Sequence, residues 1–237
     1  MAELSVDECE CDQPRVALPL PEIRLVVRFG SSVRDGLDIH VLGVREKVYR
    51  KLIPGGQRNV FARLPLDTYR AVLGVPASDI AGHTVALEDV WGAAAAQRLL
   101  DRLASAHDAV AAASILQSAI AERIARANKP GAHAQLAFNA AVKLGSANVT
   151  TVADSLGVSE RQLRRVFREE TGLSPKTFAK LTRFHRALGA ASGKGETSWA
   201  SIAATVGYYD QAHLIAEFRA IAGSTPRAFL AELRGTG

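Results

Sequence analysis

The sequence predicts an α+β fold, with a small β-sheet or barrel plus helices in its N-terminal half and only helices in its C-terminal half. Short runs rich in β-branched residues, separated by turns, occupy residues 23–64 and are typical of an antiparallel sheet. Apolar residues at helical spacing begin at Leu66. A group of residues recurs 50 or 51 positions later in the C-terminal half, which indicates a duplicated unit. We expect three regions: a disordered acidic tail (1–20), an N-terminal domain for sensing or dimerisation (21–128), and a helical domain (132–235).

Composition and the first residues argue against a membrane protein and a secreted one. Hydrophobic residues make up 48% and charged residues 22% of the 237 residues, as in ordinary globular proteins. No apolar run approaches the roughly 18 residues that a membrane-spanning helix needs. Five acidic residues precede position 13, the reverse of the basic start of a signal peptide. We therefore expect a cytoplasmic protein.

Cys9 and Cys11 are the only cysteines of the chain. Two thiolates cannot complete a tetrahedral zinc site, and no histidine lies nearby in the sequence. A soft-metal site or a redox pair is the alternative, but reduced, inert cysteines in the tail are the preferred interpretation. We expect no metal and no cofactor.

The N-terminal half is predicted to contain a sheet followed by three helices. Strands are expected at 23–29, 37–44, 47–53 and 59–64, with a turn at 54–56. A short helix capped by Asp67 or Thr68 should end near Gly74, a longer one should run from 88–92 through Leu103, and a third should cover 109–127. Residues 128–131 are the predicted helix stop and linker. Four residues could line a pocket, although packing or solvent exposure is the ordinary role of each: His40, Tyr49, His83 and Trp91.

Eight residues of the C-terminal half recur in register. Five recur 51 positions later: Leu163, Phe167, Gly172, Pro175 and Phe178 match Leu214, Phe218, Gly223, Pro226 and Phe229. Three recur 50 positions later: Val152, Ala153 and Gly157 match Ile202, Ala203 and Gly207. One residue inserted at the Tyr208-Tyr209 turn explains the change of offset. Unrelated amphipathic helices would share one or two such matches by chance, so we interpret the segment as a duplication.

Each copy has the pattern of a helix-turn-helix unit. In the first copy, Thr150 or Thr151 is expected to cap a helix that ends at Gly157, and Ser159 to cap the next helix. Asp210 is the equivalent cap in the second copy. A small residue four places before the turn glycine allows the two helices to cross closely.

The positive charge of the chain is concentrated in the same region. Residues 1–130 carry 16 basic and 16 acidic side chains, whereas residues 131–237 carry 13 and 8, which accounts for the whole net charge of +5. Such an excess suits a polyanion, because each neutralised phosphate releases a counterion. A solvated helix face is the alternative.

Three stretches of the C-terminal half are specific: Val166–Pro175, Ile202–Tyr208, and Glu217-Phe218-Arg219 with Gly223–Pro226. Together they make residues 150–233 resemble the DNA-binding domain of the AraC-type (arabinose-regulator) transcription regulators, with 134–144 as its first helix. The resemblance implies a central helix at 175–190, and recognition helices at about 159–170 and 210–222 in successive major grooves. Residues 73–79 and 85–92 resemble the N-terminal region of a poorly characterised subgroup of these regulators, which implies a small sheet or barrel followed by helices.

The first recognition helix is predicted to present arginines outward. With Leu163, Val166 and Phe167 buried, the positions that project are those of Glu160, Arg161, Arg164, Arg165 and Arg168. The resemblance favours Arg161, Arg164 and Arg165 for base contacts, which guanidinium groups make bidentately to guanine. It places Arg168 one turn further on, at a phosphate.

The second recognition helix is predicted to contribute less. Gln211 suits adenine, and Ala212 and Ile215 suit a thymine methyl group. Ala216 stands where the related subgroup tends to carry arginine, so we expect the first copy to dominate affinity. Further phosphate contacts are expected from helix N-termini and from the second helix, at Thr150, Thr151, Thr197, Ser198 and Arg219.

Together these features predict a bacterial, sequence-specific transcription regulator that binds double-stranded DNA. They do not predict an enzyme, because the sequence shows no paired carboxylates, nucleophile elbow, phosphate loop or metal-ligand spacing. An architectural DNA-binding protein without effector control is the alternative. The sequence allows three further partners: RNA polymerase, a small-molecule effector bound by the N-terminal domain, and a second copy of the chain in a homodimer.

Overall fold

The computed structural model describes residues 2–127, 131–193 and 198–235. The predicted linker residues 128–130 and the phosphate candidate Thr197 lie outside this range. Antiparallel sheets with helices form the N-terminal half, and the C-terminal half is helical, which confirms the predicted fold class. None of the described helices is long and apolar enough to cross a membrane.

The described part of the N-terminal half contains seven strands in two antiparallel sheets. Their bounds are β1 Glu3–Cys9, β2 Gln13–Ala17, β3 Arg24–Phe29, β4 Leu37–Leu42, β5 Tyr49–Ile53, β6 Gln57–Arg63 and β7 Thr84–Ala86. Five strands form one sheet in the order β1-β6-β3-β4-β7, whereas β2 and β5 pair with each other. In the larger sheet Val26 lies opposite His40 on one side and Phe61 on the other, which fixes the register of the three central strands.

The prediction of a disordered tail over residues 1–20 is wrong. β1 pairs with β6 along its whole length, and β2 pairs with β5. Asp7 forms an ion pair with Arg15, and Glu3 Oε2 lies 2.8 Å from Arg63 Nη1. The acidic charge therefore does not keep this segment from the sheet, because Glu3 and Asp7 each pair with an arginine.

The two cysteines belong to this strand region and are free thiols. Cys9 is buried at the end of β1, where its sulfur accepts a hydrogen bond of 2.8 Å from Gln13 Nε2, and Cys11 is exposed. Among the residues that the structure describes, no three His, Cys, Asp or Glu side chains are grouped as metal ligands would be.

The helices of the N-terminal half follow the prediction except at one break. They are α1 Tyr69–Leu73, α2 Leu87–Trp91, α3 Ala93–Ala104 and α4 Ala109–Arg126. The long helix predicted from 88–92 through Leu103 is interrupted at Gly92, whose φ of +81° leaves the helical region. Thr68 occupies the position before α1 but does not cap it, because its hydroxyl donates to the Pro65 carbonyl.

The C-terminal half consists of helices whose local geometry repeats. They are α5 Ala132–Leu144, α6 Val149–Ser155, α7 Glu160–Thr171, α8 Pro175–Ser192, α9 Trp199–Val206, α10 Gln211–Ala222 and α11 Pro226–Gly235. The amide of Val158 donates to the Ala153 carbonyl at 3.1 Å, and that of Tyr208 donates to the Ala203 carbonyl at 2.9 Å. The duplicated residues thus build the same turn twice.

Buried apolar side chains of the described residues form two clusters. One runs from the large sheet through α4 into the second helix-turn-helix unit, from Val41 and Leu116 to Phe184 and Phe218. The other lies within the first unit, around Phe167. The second unit therefore shares its core with the N-terminal half, whereas the first unit has a core of its own.

Candidate nucleic-acid interface

The first helix-turn-helix unit begins two or three residues earlier than predicted. Asn148, and not Thr150 or Thr151, caps α6: its side-chain oxygen accepts a hydrogen bond of 2.9 Å from the Thr151 amide. Asparagine is the stronger cap, and its position leaves both threonines in the first turn. The Thr150 hydroxyl is bonded to the Glu160 carboxylate.

The helix α7 is held as the sequence predicts. The Ser159 hydroxyl caps it by accepting from the Gln162 amide at 3.2 Å, and Gly172 ends it with a φ of +78°. Leu163 and Phe167 are fully buried on its inner face. The opposite face is therefore fixed toward solvent.

That outer face carries four exposed arginines: Arg161, Arg164, Arg165 and Arg168. Arg164 forms an ion pair with Glu160 in the preceding turn, and Arg165 Nη1 lies 3.8 Å from Glu169 Oε2. Within the described part of the chain, Arg161 and Arg168 have no such partner. The face is therefore cationic, and its two ion pairs are exposed and weak enough for phosphate or base contacts to replace them.

The second unit has the same scaffold and a nearly uncharged outer face. Ser198 caps α9, and Asp210 caps α10 by accepting from the His213 amide at 2.7 Å. The predicted DNA-facing residues are exposed except Ile215, which is partly buried: Gln211, Ala212, Ala216 and Arg219.

A polar cluster behind α10 was not predicted. Arg183 Nη2 on α8 donates to Glu217 Oε1 at 3.1 Å, and the guanidinium lies 5.5 Å from the centre of the Tyr208 ring. The His213 ring packs edge-on against Tyr208 at 5.3 Å. Burial raises the pKa of Tyr208, so its hydroxyl stays protonated. The cluster joins α10 to α8. Its residues are up to 34 positions apart in the sequence, so helical periodicity does not predict that they meet.

An exposed aromatic side chain adjoins this cluster. Tyr209 is 93% exposed in the turn that precedes α10, beside the Asp210 cap. Sequence reasoning used this residue only to explain the change of repeat offset. The one-residue insertion is the sequence feature that points to Tyr209, because it adds a side chain directly before α10.

A short segment of the N-terminal half is hydrogen-bonded to the second unit. The Val48 amide donates to the Ile221 carbonyl at 2.9 Å. Arg50 donates to the Ala222 carbonyl at 2.9 Å and to both carboxylate oxygens of Glu232 at 2.6 and 2.8 Å. The hydrogen bond from Arg50 lowers the pKa of Glu232. The end of α10 is therefore bonded to the strand region.

The N-terminal half also contacts the first unit and the central helix. Gly172, at the end of α7, lies so close to Val44 and Ala77 that an added Cβ would be 2.8 and 3.0 Å from their nearest atoms. On α8, His185 Nε2 is 2.6 Å from the Pro19 carbonyl oxygen, and burial lowers the pKa of this histidine. Both units are thus seated against the same half of the chain.

Two of the four pocket candidates line one cavity. His40 and Tyr49 face a cavity of about 680 Å³ between the two sheets. Trp91 packs instead: its Nε1 donates to the Val72 carbonyl at 2.8 Å, and the Arg123 guanidinium lies 4.4 Å from its ring centre. His83 is exposed to solvent.

Comparison with known proteins supports the identity of the C-terminal half. Residues 152–232 match a family model described as a helix-turn-helix domain. No curated protein sequence matches the chain. Among solved structures, a DNA-binding transcriptional dual regulator from Escherichia coli K-12 is 22% identical over 46% of this chain and 98% of its own, with a TM-score of 0.37.

Two structures of ToxT from Vibrio cholerae are similar over nearly the whole chain. ToxT of strain O395 is 11% identical over 99% of this chain and 98% of its own, with a TM-score of 0.45. Wild-type ToxT of strain SCE256 with bound unsaturated fatty acid is 10% identical over 99% and 96%, with a TM-score of 0.47. The match over residues 152–232 and the repeated turn geometry lead to one conclusion: the C-terminal half of this chain carries a helix-turn-helix domain.

Proposed function

We propose that the protein is a sequence-specific DNA-binding transcription regulator that places α7 and α10 in successive major grooves of one DNA duplex. The observation that carries the proposal is the outer face of α7, where four exposed arginines lie opposite a fully buried apolar face. Consecutive major grooves on one side of B-DNA are about 34 Å apart, so two units joined by a stiff helix suit such a site.

The four arginines are assigned different roles by their positions along α7. Arg161, Arg164 and Arg165 lie in the first half of the helix and are proposed to contact bases, whereas Arg168 is proposed to bind a phosphate. Arg161 has no ion pair to give up among the described residues. Arg164 and Arg165 exchange an exposed carboxylate partner for DNA, which costs little.

The second unit is proposed to add alignment more than affinity. On α10, Gln211, Ala212 and Ile215 are the base-contact candidates, and partial burial of Ile215 limits its reach. The proposed phosphate contacts outside α7 are those of Thr150, Thr151, Ser198 and Arg219, of which Ser198 caps a helix.

Selection of binding sites from random duplexes, followed by titrations at graded salt, tests the proposal. Replacing Arg161, Arg164 or Arg165 by alanine should cost about 1–3 kcal/mol and relax the preference at one base pair each. Arg168→Ala should weaken binding to all duplexes alike and reduce the salt slope by about one. Arg126→Ala, which changes an exposed arginine on α4, is the control and should change neither. Identical behaviour of all five variants would refute the assignment.

We further propose that the N-terminal half controls this binding through a small-molecule effector. The cavity between the two sheets and the contacts of the strand region with both helix-turn-helix units support this proposal. An architectural protein without effector control is distinguished by measurement: its DNA affinity would be independent of any compound that occupies the cavity.

A further inference from the structure

The inner face of the large sheet is polar where it borders the cavity. Side chains alternate along β3, so that Leu25 and Val27 are fully buried in the core while Arg24, Val26 and Arg28 line the cavity. The volume of about 680 Å³ falls within the range of roughly 300–1,000 Å³ that small-molecule sites occupy. A sheet that only had to pack against β2 and β5 would carry apolar side chains here.

The charge of the cavity wall is unbalanced although the N-terminal half as a whole is neutral. Five basic side chains line it, against the two acidic ones of Asp7 and Glu22. Asp7 forms an ion pair with Arg15. Arg28 Nε donates to Asp38 Oδ1 at 2.7 Å. These pairs leave a cationic surplus in a wall that also contains apolar side chains.

The surplus is concentrated at Arg45 and Lys51. Among the described residues, no carboxylate lies within ion-pair distance of either side chain. Arg45 is held in place by a hydrogen bond of 2.6 Å to the Thr84 hydroxyl and by the Tyr49 ring, whose centre is 4.8 Å from its guanidinium carbon. Its Nε is buried without a partner. The guanidinium of Arg45 is therefore fixed beside the cavity without a counter-charge, which a ligand anion would supply.

Lys51, an exposed residue of β5, also lines the cavity. Partial burial lowers the pKa of Lys51, and the nearby cations Arg45 and Arg28 lower it further. An anion placed between these side chains would stabilise the ammonium form, because it replaces like-charge repulsion by attraction.

We propose that this cavity binds an organic anion, whose carboxylate or phosphate group contacts Arg45 and Lys51 and whose apolar body packs against Leu18, Leu42 and Phe61. The apolar side chains of the wall require a body larger than an inorganic ion. Guanidinium and ammonium groups are the usual partners of both anionic groups, so charge and not the identity of the head group defines the class.

The same segment connects the cavity to the DNA-binding domain. Along β5, Tyr49 and Lys51 face the cavity, whereas Arg50 points the other way and bonds to the Ala222 carbonyl and Glu232. An anion that draws Arg45 and Lys51 together therefore acts on a segment whose other side holds the end of α10. This regulatory step rests on the proposed function; the anion site itself does not.

Calorimetric titration of the full chain without DNA tests the site. The probes are 2-naphthoate and 2-naphthyl phosphate, with the neutral 2-naphthamide and inorganic phosphate as controls. We expect at least one naphthyl anion to bind at least about tenfold more tightly than either control, since hydrogen bonds to charged groups are the strong ones. Equal binding of 2-naphthamide, or no binding of either naphthyl anion at millimolar concentration, would overturn the proposal.

Variants locate the binding. Lys51→Gln and Arg45→Gln should each weaken binding of the naphthyl anion about tenfold or more, and Lys51→Arg should keep most of the affinity. Lys47→Gln is the matched control, because Lys47 is an exposed lysine of the same segment that does not line the cavity. If Lys51→Gln and Lys47→Gln bind the probe with equal affinity, the proposed anion site is refuted. This outcome does not depend on whether the protein binds DNA.

A separate measurement tests the coupling. The bound probe should change the DNA affinity of the unaltered chain and the amide exchange of residues 218–223. Arg50→Gln should bind the probe normally and lose its effect on DNA affinity. A probe that binds in the cavity but leaves DNA affinity unchanged, or changes it equally in Arg50→Gln, refutes the coupling and leaves the anion site standing.

Discussion

Gly172→Ala and Gly223→Ala change the same position in the two copies of the duplicated unit. Both glycines end a recognition helix in the left-handed region, with φ of +78° and +76°. Alanine there costs about 1–2 kcal/mol in backbone strain, which is common to both variants. Only at Gly172 would the new methyl group also meet neighbours: Val44 Cγ2 at 2.8 Å and the Ala77 carbonyl oxygen at 3.0 Å. At Gly223, an added Cβ would have no non-neighbouring atom of the described residues within 4 Å.

The difference between the two variants therefore measures how tightly the first unit is seated against the N-terminal half. Insertion of a methyl group into a packed contact costs about 1–3 kcal/mol, so Gly172→Ala should lose about 2–5 kcal/mol in total. Each kcal/mol lowers the melting temperature of a chain of this length by about 2–4 °C. Gly172→Ala should thus melt about 2–12 °C below Gly223→Ala.

Thermal and urea unfolding of the two variants and the unaltered chain, followed by circular dichroism, give these values directly. Since strain at the helix end is shared, Gly223→Ala is the control for it. Equal melting temperatures would refute the reasoning, because they would show that Val44 and Ala77 are not in contact with the end of α7.

Three further predictions concern single side chains. Glu160→Gln frees Arg164 and removes a negative charge from the DNA-facing surface, so fluorescence anisotropy should show DNA binding roughly two- to fivefold tighter; unchanged affinity would contradict the proposed orientation of α7. Burial lowers the pKa of His185, so its imidazole is protonated less readily in the folded chain than in the unfolded chain. The free energy of unfolding should therefore fall as the pH drops below about 6.5, and the fall should be smaller in His185→Gln, as urea titrations across this pH range would show. Asp210→Ala removes the cap of α10 and should cost about 1 kcal/mol in thermal unfolding; an unchanged midpoint would show that the cap contributes nothing.

The duplicated unit could be predicted in detail because its determinants are local. Gly157 and Gly207 both adopt positive φ, and Ser159 and Asp210 both cap the helix that follows, as their residue types require. The one error in this region has a local cause as well. Asn148 competes with Thr150 as a cap, and spacing alone does not decide between neighbouring candidates.

The start of the chain could not be predicted because its structure depends on distant partners. An acidic segment such as residues 3–9 has the pattern of a disordered tail. It becomes a strand because β6, 48 to 60 positions later, supplies its backbone hydrogen bonds and Arg63 supplies a counter-charge. The basic side chains of the cavity were missed for the same reason. Arg45 and Lys51 are not distinctive in the sequence, and only the folded N-terminal half brings them to the same cavity.

The separate packing of the two units has a consequence for how the protein would lose function on damage. The unit that carries the four arginines encloses its own apolar side chains around Phe167, whereas the other unit is continuous with the sheet through Phe184. Regions that share buried contacts tend to open together. A lesion in the strand region should therefore release α10 first and leave α7 in its own fold. Under the proposed function, DNA binding would then be lost in two steps.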